Sequence, residues 1–518
     1  MATTKTIREP SKFFGWLVPD EPIRFVPVCK KIIPPSDLLC MGAIVSNYFI
    51  ATGMNCYGVT LAGGVGKLVS NWLLDGYPSQ DVSKIDVARF LTAHSNRQYL
   101  RTRTPEVVGK NLRQAGAVFG EIMGYERPLY FSIDKGYPPP AFGEDFPLGK
   151  PVWYNYVSSE YQSCRERVAI MDMSNFSKFI ISGPQDEVVS FLQRVCSADI
   201  DKPVGTSIFT GMQHERGGYV TDCTVNRMTQ NEFFIVAPTV QQIRVKMWLH
   251  KHLKKRSGVV IQDVTSMYTA LNVVGPLSRH LMQDLTDSKM SVSEFPAFWC
   301  REINVGCASG IKAVSITHCG ELGWVLYVPN ELCTWFFRGC SLVSQSLFVY
   351  GEKSRPQKIL SNRLWQNSKI RNAVHICFFG PNLLLLRPEF ALHVYQQIVD
   401  AGKSYGLQHA GYYTLRQLRI EKFYVYWGMD VDWTTTPTQC GRMFRVNFNK
   451  QFIGRQALIQ EKKTGVKRRY VQLLLDDHNL HQDPWPQGGE PIYRNDKFCG
   501  LTTTAAYGFT LNCQPSRM

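Results

Sequence analysis

Arg165-Glu166-Arg167-Val168-Ala169-Ile170-Met171-Asp172-Met173-Ser174-Asn175-Phe176-Ser177-Lys178-Phe179-Ile180-Ile181-Ser182-Gly183-Pro184 holds the change of texture that decides the fold. Residues 154–169 space their apolar side chains as an amphipathic helix does, whereas Phe179-Ile180-Ile181-Ser182 is a short strand-type run. Gly183-Pro184 signals a turn, after which 185–195 reads as helix again. Strands are expected further on at 233–237, 270–274 and 324–328, with turns between them. The expectation is an α+β fold.

Toward the N-terminus, Pro10, Pro19, Pro22, Pro27, Pro34 and Pro35 mark residues 1–46 as irregular. Order is expected from Asn47-Tyr48-Phe49-Ile50-Ala51-Thr52, a strand. The run from Gly53-Met54-Asn55 to Gly63-Gly64-Val65-Gly66 reads as a glycine-studded turn. A helix over 67–75 follows, with Val69, Trp72 and Leu73 on one face, and helical texture returns at 85–90. Pro138-Pro139-Pro140 ends this region near residue 150. Toward the C-terminus, 332–389 breaks the rhythm with no Asp, two Glu and eight Lys or Arg, and it is expected to be poorly ordered. Helix resumes at 391–395, and a strand-rich piece follows Arg469.

A chain of 518 residues at about 100–200 per domain makes two to four domains. With 44% hydrophobic and 19% charged residues, disorder throughout is excluded. The most apolar stretches, 342–350 and 373–386, are too short and too polar for a membrane span. Net charge is +16, from 58 basic and 42 acidic residues. The densest run, Lys462-Lys463-Thr464-Gly465-Val466-Lys467-Arg468-Arg469, follows an expected helix and reads as its solvated end, so no nucleic-acid partner is expected. Fifteen cysteines without a CxxC pair or a secretory signal read as reduced, mostly buried thiols. Met1 to Arg8 is Thr-rich and basic but meets Glu9 at once, which makes no convincing transit peptide.

Several motifs fail or stay open. Gly63 to Lys67 is not a P-loop, because Leu68 stands where a Ser or Thr is needed and Leu61 where the first glycine belongs. It is either an anion-binding turn before a helix or simply a tight connection. In Gly217-Gly218-Tyr219-Val220-Thr221-Asp222-Cys223-Thr224-Val225 a turn enters an apolar strand that Asp222 would interrupt. That carboxylate has either a partner and a task or backbone N–H groups of a turn around it. His214-Glu215-Arg216 lacks HExxH spacing, and His318 with Glu321 has no local third ligand, so no metal site is expected.

Three stretches together resemble the folate-binding aminomethyltransferase superfamily. They are 165–184, 217–225, and Gly411-Tyr412-Tyr413-Thr414-Leu415-Arg416-Gln417-Leu418-Arg419-Ile420-Glu421-Lys422 with Trp427-Gly428-Met429-Asp430 and Thr436-Pro437. Residues 452–458 and Glu490-Pro491-Ile492-Tyr493-Arg494 resemble the small C-terminal barrel of that family. Gly53-Met54-Asn55, Gly63-Gly64-Val65-Gly66, Trp72, Gly76, Asp86 and Arg89-Phe90 resemble the end of the flavin domain in dimethylglycine and sarcosine dehydrogenases. The same pairing of modules occurs in the regulatory subunits of mitochondrial pyruvate dehydrogenase phosphatase, whose local wording is most similar. The resemblance covers about 47–331 and 390–511.

It implies a flavin-domain remnant and linker over 47–150 and a folate-type module over 151–331 and 390–467, interrupted by 332–389. An incomplete barrel over 468–518 follows. It further implies a non-catalytic regulatory role in the mitochondrial matrix, with the phosphatase catalytic subunit and the pyruvate dehydrogenase complex as partners. The enzyme alternative would use FAD and tetrahydrofolate; otherwise no cofactor is expected. Carried over residue by residue, Asp222 takes the family's catalytic aspartate position. Tyr219, Asp222 and Glu321 outline a vestigial folate-like pocket, and Gly53, Met54, Asn55, Gly63 and Gly64 a vestigial flavin side. The departures are pointed. The pterin-reading Glu of the family is Val325 here, an arginine position is Leu415, and no glycine-rich pyrophosphate turn precedes residue 47. A barrel ending after Leu511 would leave a strand edge unpaired.

Overall fold

The computed structural model describes residues 40–45, 48–52, 58–75, parts of 78–86, 108–132 except 123–124, and 149–517 except 331–389, 477, 487 and 512–513. The expectation for 332–389, and most of that for 85–90, therefore lies outside the described residues.

Order begins earlier than the prolines suggest. β1 (Cys40–Val45), inside the stretch expected to be irregular, pairs antiparallel with β2 (Tyr48–Thr52). Helix α1 (Gly58–Asp75) then takes in Gly63, Gly64 and Gly66, which were read as a turn. Each interior glycine costs about 1 kcal/mol against alanine. The apolar stripe Val65, Leu68, Val69 and Trp72 nevertheless runs on at helical spacing and forms the less exposed face. Trp72 meets Phe49 edge-on at 5.1 Å. α2 (Gly109–Gln114) leads into the antiparallel pair β3 (Ala117–Ile122) and β4 (Tyr125–Phe131).

α3 (Tyr154–Glu166) stops before Ala169, which opens β5 (Ala169–Asp172) instead of closing the helix. All four residues of β5 are buried, as suits a strand covered on both faces. β6 (Ser177–Ser182), β7 (Ser207–Gln213), β8 (Tyr219–Arg227), β9 (Glu232–Ala237) and β10 (Val260–Asp263) form an antiparallel sheet in the order β10-β6-β9-β8-β7. α4 (Gln185–Val195) and α5 (Gln242–His252) cover it. In α4 the buried Val188, Phe191, Leu192 and Val195 make one stripe, and Asp186, Glu187 and Arg194 sit at the dipole ends that suit their charges.

β11 (Tyr268–Val274), β12 (Cys300–Val305), β13 (Ala308–Val314) and β14 (Gly323–Pro329) build the second sheet with β5, and α6 (Ser278–Leu285) packs against it. After residue 389, α7 (Phe390–Gly402) and β15 (Gln408–His409) complete it in the order β12-β13-β14-β11-β5-β15. β15 joins parallel to β5, Gln408 opposite Ala169. Alternation along the strands sorts the core into layers. Phe233 and Ile235 of β9 face α4 and α5, while Phe234 and Val236 face the second sheet. Val325 and Tyr327 of β14 meet them between the sheets, and Trp324, Leu326 and Val328 point to α6 and α7.

α8 (Tyr412–Glu421) buries Tyr412, Leu415 and Leu418 in the middle layer, and α9 (Arg455–Thr464) ends in Lys462 and Lys463. The basic run thus begins at an exposed helix end. The segment 452–458, matched to barrel wording, leads into this helix instead. Beyond it lie β16 (Gln472–Leu475), the hairpin β17 (Pro491–Arg494) and β18 (Lys497–Leu501), β19 (Thr504–Ala505) and β20 (Gln514–Arg517). β20 lies between β16 and β19, so Ser516 and Arg517 are paired on both sides where an open edge was expected. Among the described residues no helix is long and apolar enough to cross a membrane.

Glu160 ties three of these elements together. Its carboxylate accepts the Phe131 N–H of β4 at 2.6 Å, the Gly411 N–H at 2.8 Å and the Thr414 hydroxyl of α8 at 2.5 Å. Gly411 must be glycine here, because a Cβ would stand 2.2 Å from the Leu129 carbonyl oxygen. Each buried donor left without its acceptor costs about 1–3 kcal/mol. Glu160→Ala is therefore expected to lower stability by about 3 kcal/mol or more, read by urea unfolding under tryptophan fluorescence. A loss within error of zero would show that α8 does not depend on this carboxylate.

Candidate functional site

The site grows from the turn before β8. Gly217 has φ +88, and a Cβ on Gly218 would meet the Trp433 carbonyl oxygen at 1.9 Å, so both positions demand glycine. His214 locks the same turn. Its Nε2–H donates to the Trp433 carbonyl at 2.8 Å and its Nδ1 accepts the Arg216 N–H at 3.1 Å, which fixes one neutral tautomer. Burial lowers its pKa, in keeping with a structural clamp.

Tyr219 follows, buried, with its N–H on the Thr435 carbonyl at 3.0 Å and its hydroxyl accepting the Cys440 thiol at 3.9 Å. Burial pushes the phenol well up and the Cys440 thiol to about 11. Asp222 lies in mid-strand opposite Gly211 and does not interrupt β8. It stands in a strand and not in a turn, and its own backbone N–H is bonded to the carboxylate. Burial raises its pKa from 3.8 to about 7; its own backbone N–H and then Arg442 draw it back down, and the charge of Asp430 pushes it up. Asp430 is itself held by the buried Arg419, by the Tyr426 N–H at 2.9 Å and by the Thr503 hydroxyl at 3.0 Å.

Arg442, Arg445 and Tyr424 close this side, and they were not singled out from the sequence. Arg442 donates to the Phe423 carbonyl, and Arg445 lies 4.9 Å over the Phe209 ring. Burial, then Arg442, then Tyr424 and Tyr219 set the pKa of Arg445, with a net lowering. The short Arg442-Met443-Phe444-Arg445 run was the available signal, but nothing in its spacing points to β8.

The other expected site residues sit elsewhere or work differently. Glu321 is held by Arg165 Nη1 at 2.7 and 2.9 Å and by Lys422 Nζ at 2.6 Å, which commits both carboxylate oxygens to an ion-pair network. On its turn, Gly320 has φ +76 and packs against the Tyr424 ring. Val325, 1% exposed, lies opposite Asn272 and Val314 in the layer between the sheets. Leu415 fills the same layer. The position a pterin-reading carboxylate would take by resemblance is thus apolar core, and the residues present do not fit that group. Gly53, Met54 and Asn55 lie outside the described residues. Gly63 and Gly64 stand exposed inside α1, with open space where a Cβ would be, so they form no cradle at a helix start. Among the described residues no three His, Cys, Asp or Glu side chains gather as a metal site would need.

Asp222 can exchange a proton near neutral pH, but it weakens the fold when charged. Between 3.8 and about 7 the folded carboxyl keeps a proton that the unfolded chain releases. Its stability contribution is full below that window and is lost as pH rises through it. Asp222→Asn is expected to raise stability at pH 8 by about 2–4 kcal/mol and to change little at pH 4. Thermal unfolding at both pH values checks this; equal effects at the two would refute the titration.

The GCVT N-terminal domain family matches residues 109–338 and 384–450, and the FAD dependent oxidoreductase central domain family matches 75–113. The pyruvate dehydrogenase phosphatase regulatory subunit of Mus musculus is 37% identical over 93% of this chain and 52% of its own length. Dimethylglycine dehydrogenase of Mus musculus is 28% identical over 90% of this chain and 49% of its own. The chain spans about half the length of the curated relatives it matches. Glycine cleavage system aminomethyltransferase T of Bartonella henselae shares the fold at 17% identity, with a TM-score of 0.55 over 79% of this chain and 88% of that one.

Proposed function

We propose, for a chain that belongs to the GCVT N-terminal domain family, a regulatory and non-catalytic role: it binds the pyruvate dehydrogenase phosphatase catalytic subunit in the mitochondrial matrix and so modulates the pyruvate dehydrogenase complex. The observation that carries this reading is the 37% identity to a regulatory subunit of that phosphatase, against 28% to dimethylglycine dehydrogenase. The site supports it. Val325 offers no acceptor for a pterin, and Glu321 is committed to Arg165 and Lys422. No cofactor belongs to this reading. The division of the chain with 332–389 as an inserted block is part of the same proposal, supported by a family match that passes over 339–383.

A second reading draws on Asp222, which stands at the catalytic position by resemblance and titrates at about 7. It would make the chain part of an FAD- and tetrahydrofolate-dependent dimethylglycine- or sarcosine-type dehydrogenase. Size-exclusion chromatography with the phosphatase catalytic subunit, followed by a dephosphorylation assay, separates the two. Co-elution with a changed dephosphorylation rate is expected. Separate elution with an unchanged rate, or flavin-yellow protein that demethylates dimethylglycine, would overturn the regulatory role.

A further inference from the structure

Residues 438–448 and the end of α9 line a cleft of about 400 Å³. Met443, Val446, Phe448 and Val466 supply apolar walls, and Phe444, 72% exposed, stands among the lining residues. Covering that ring with a ligand would remove apolar surface from water, at about 25 cal/mol per Å². Lys462 and Arg469 also line the cleft, Lys462 Nζ lying 5.6 Å from the Phe448 ring centroid. Lys463, Lys467 and Arg468 continue the positive rim, all exposed. Five cations in positions 462–469, without an acid among them, make a strongly positive lip.

Glu461 Oε1 accepts the Thr436 hydroxyl at 3.0 Å, while its Oε2 is buried and accepts no hydrogen bond among the described residues. A peptide supplies what each part needs: an apolar side chain for the walls and carboxylates for the rim. We propose that this cleft docks an acidic peptide segment of a partner protein, which inserts one bulky apolar side chain beside Phe444. The chain's own 332–389 has the wrong sign, with eight basic against two acidic residues. A nucleic acid strand needs a groove that tracks its backbone, with stacking platforms in series; this is a single cleft with one strongly exposed ring, Phe444. The site stands whether or not the phosphatase reading holds.

The test is fluorescence anisotropy on the full chain with a short fluorescein-labelled peptide of glutamates around one phenylalanine. Saturable binding is expected, weakened about tenfold when the peptide phenylalanine is alanine or when the protein carries Phe444→Ala. Arg468→Glu with Arg469→Glu is expected to weaken it at least about tenfold and to flatten its salt dependence. All three positions are exposed, and circular dichroism checks that the fold is kept. Absence of binding, equal binding by the variants, or equal or tighter binding of a lysine-for-glutamate peptide or of oligothymidine would overturn the proposal.

Discussion

Asp430→Ala is expected to cost the fold about 3–5 kcal/mol, the usual loss when one partner of a buried ion pair is removed. The side chains of Arg419 and Asp430 are 3% and 0% exposed, so the guanidinium left behind has little water to turn to. Two further donors lose their acceptor. The Tyr426 N–H holds the turn after α8, and the Thr503 hydroxyl ties the C-terminal strands to it. The same deletion removes a negative charge that raises the pKa of Asp222, so Asp222 should titrate lower in the variant. Guanidinium unfolding measures the first effect. A loss below about 1 kcal/mol would mean that the pair is solvated after all.

Val325→Glu carries an effect of similar size for a different reason. Its side chain would enter the layer between the sheets, opposite Asn272 and Val314, where Val325 is 1% exposed. A carboxylate there must either keep its proton or find donors. Burial of this kind shifts a carboxyl by up to about 3–5 units, so the expected loss is about 4 kcal/mol at pH 8 and much less at pH 5. By resemblance, a Glu at this position accepts two charge-assisted hydrogen bonds from a pterin, each about 1.5–3 kcal/mol. Tetrahydrofolate is therefore expected to bind the wild type weakly or not at all, and to recover part of the lost stability in Val325→Glu where the surrounding space admits it. Calorimetry on both forms decides. Micromolar binding by the wild type would sink the non-catalytic reading.

What the sequence disclosed depended on whether the deciding neighbours were local. The helix over 185–195 and the strands at 233–237 and 324–328 carry their reasons within themselves, as an apolar stripe or an unbroken apolar run. Gly217-Gly218 was legible as a turn, though not the Trp433 carbonyl that makes Gly218 obligatory. α1 was misread because three glycines outweighed an apolar stripe that continues through them. Asp222 looked like a break in a strand because the balance of Arg442 and Asp430 against burial is assembled from distant parts of the chain. Glu321 fell on a recognised turn, but only the fold reveals that Arg165 and Lys422 use up its carboxylate.

The parallel seam between β5 and β15 has one more consequence. The piece that begins at Phe390 sends Ala391, Val394, Tyr395 and Ile398 under the second sheet, lays Gln408 and His409 along β5, and buries α8 in the middle layer. The two pieces are thus held by packing and hydrogen bonds, not by the peptide links between 331 and 389. A molecule cleaved in that interval should migrate as one particle on a native gel and as two bands in detergent. Two separately expressed chains divided there should find each other and reconstitute the sheet.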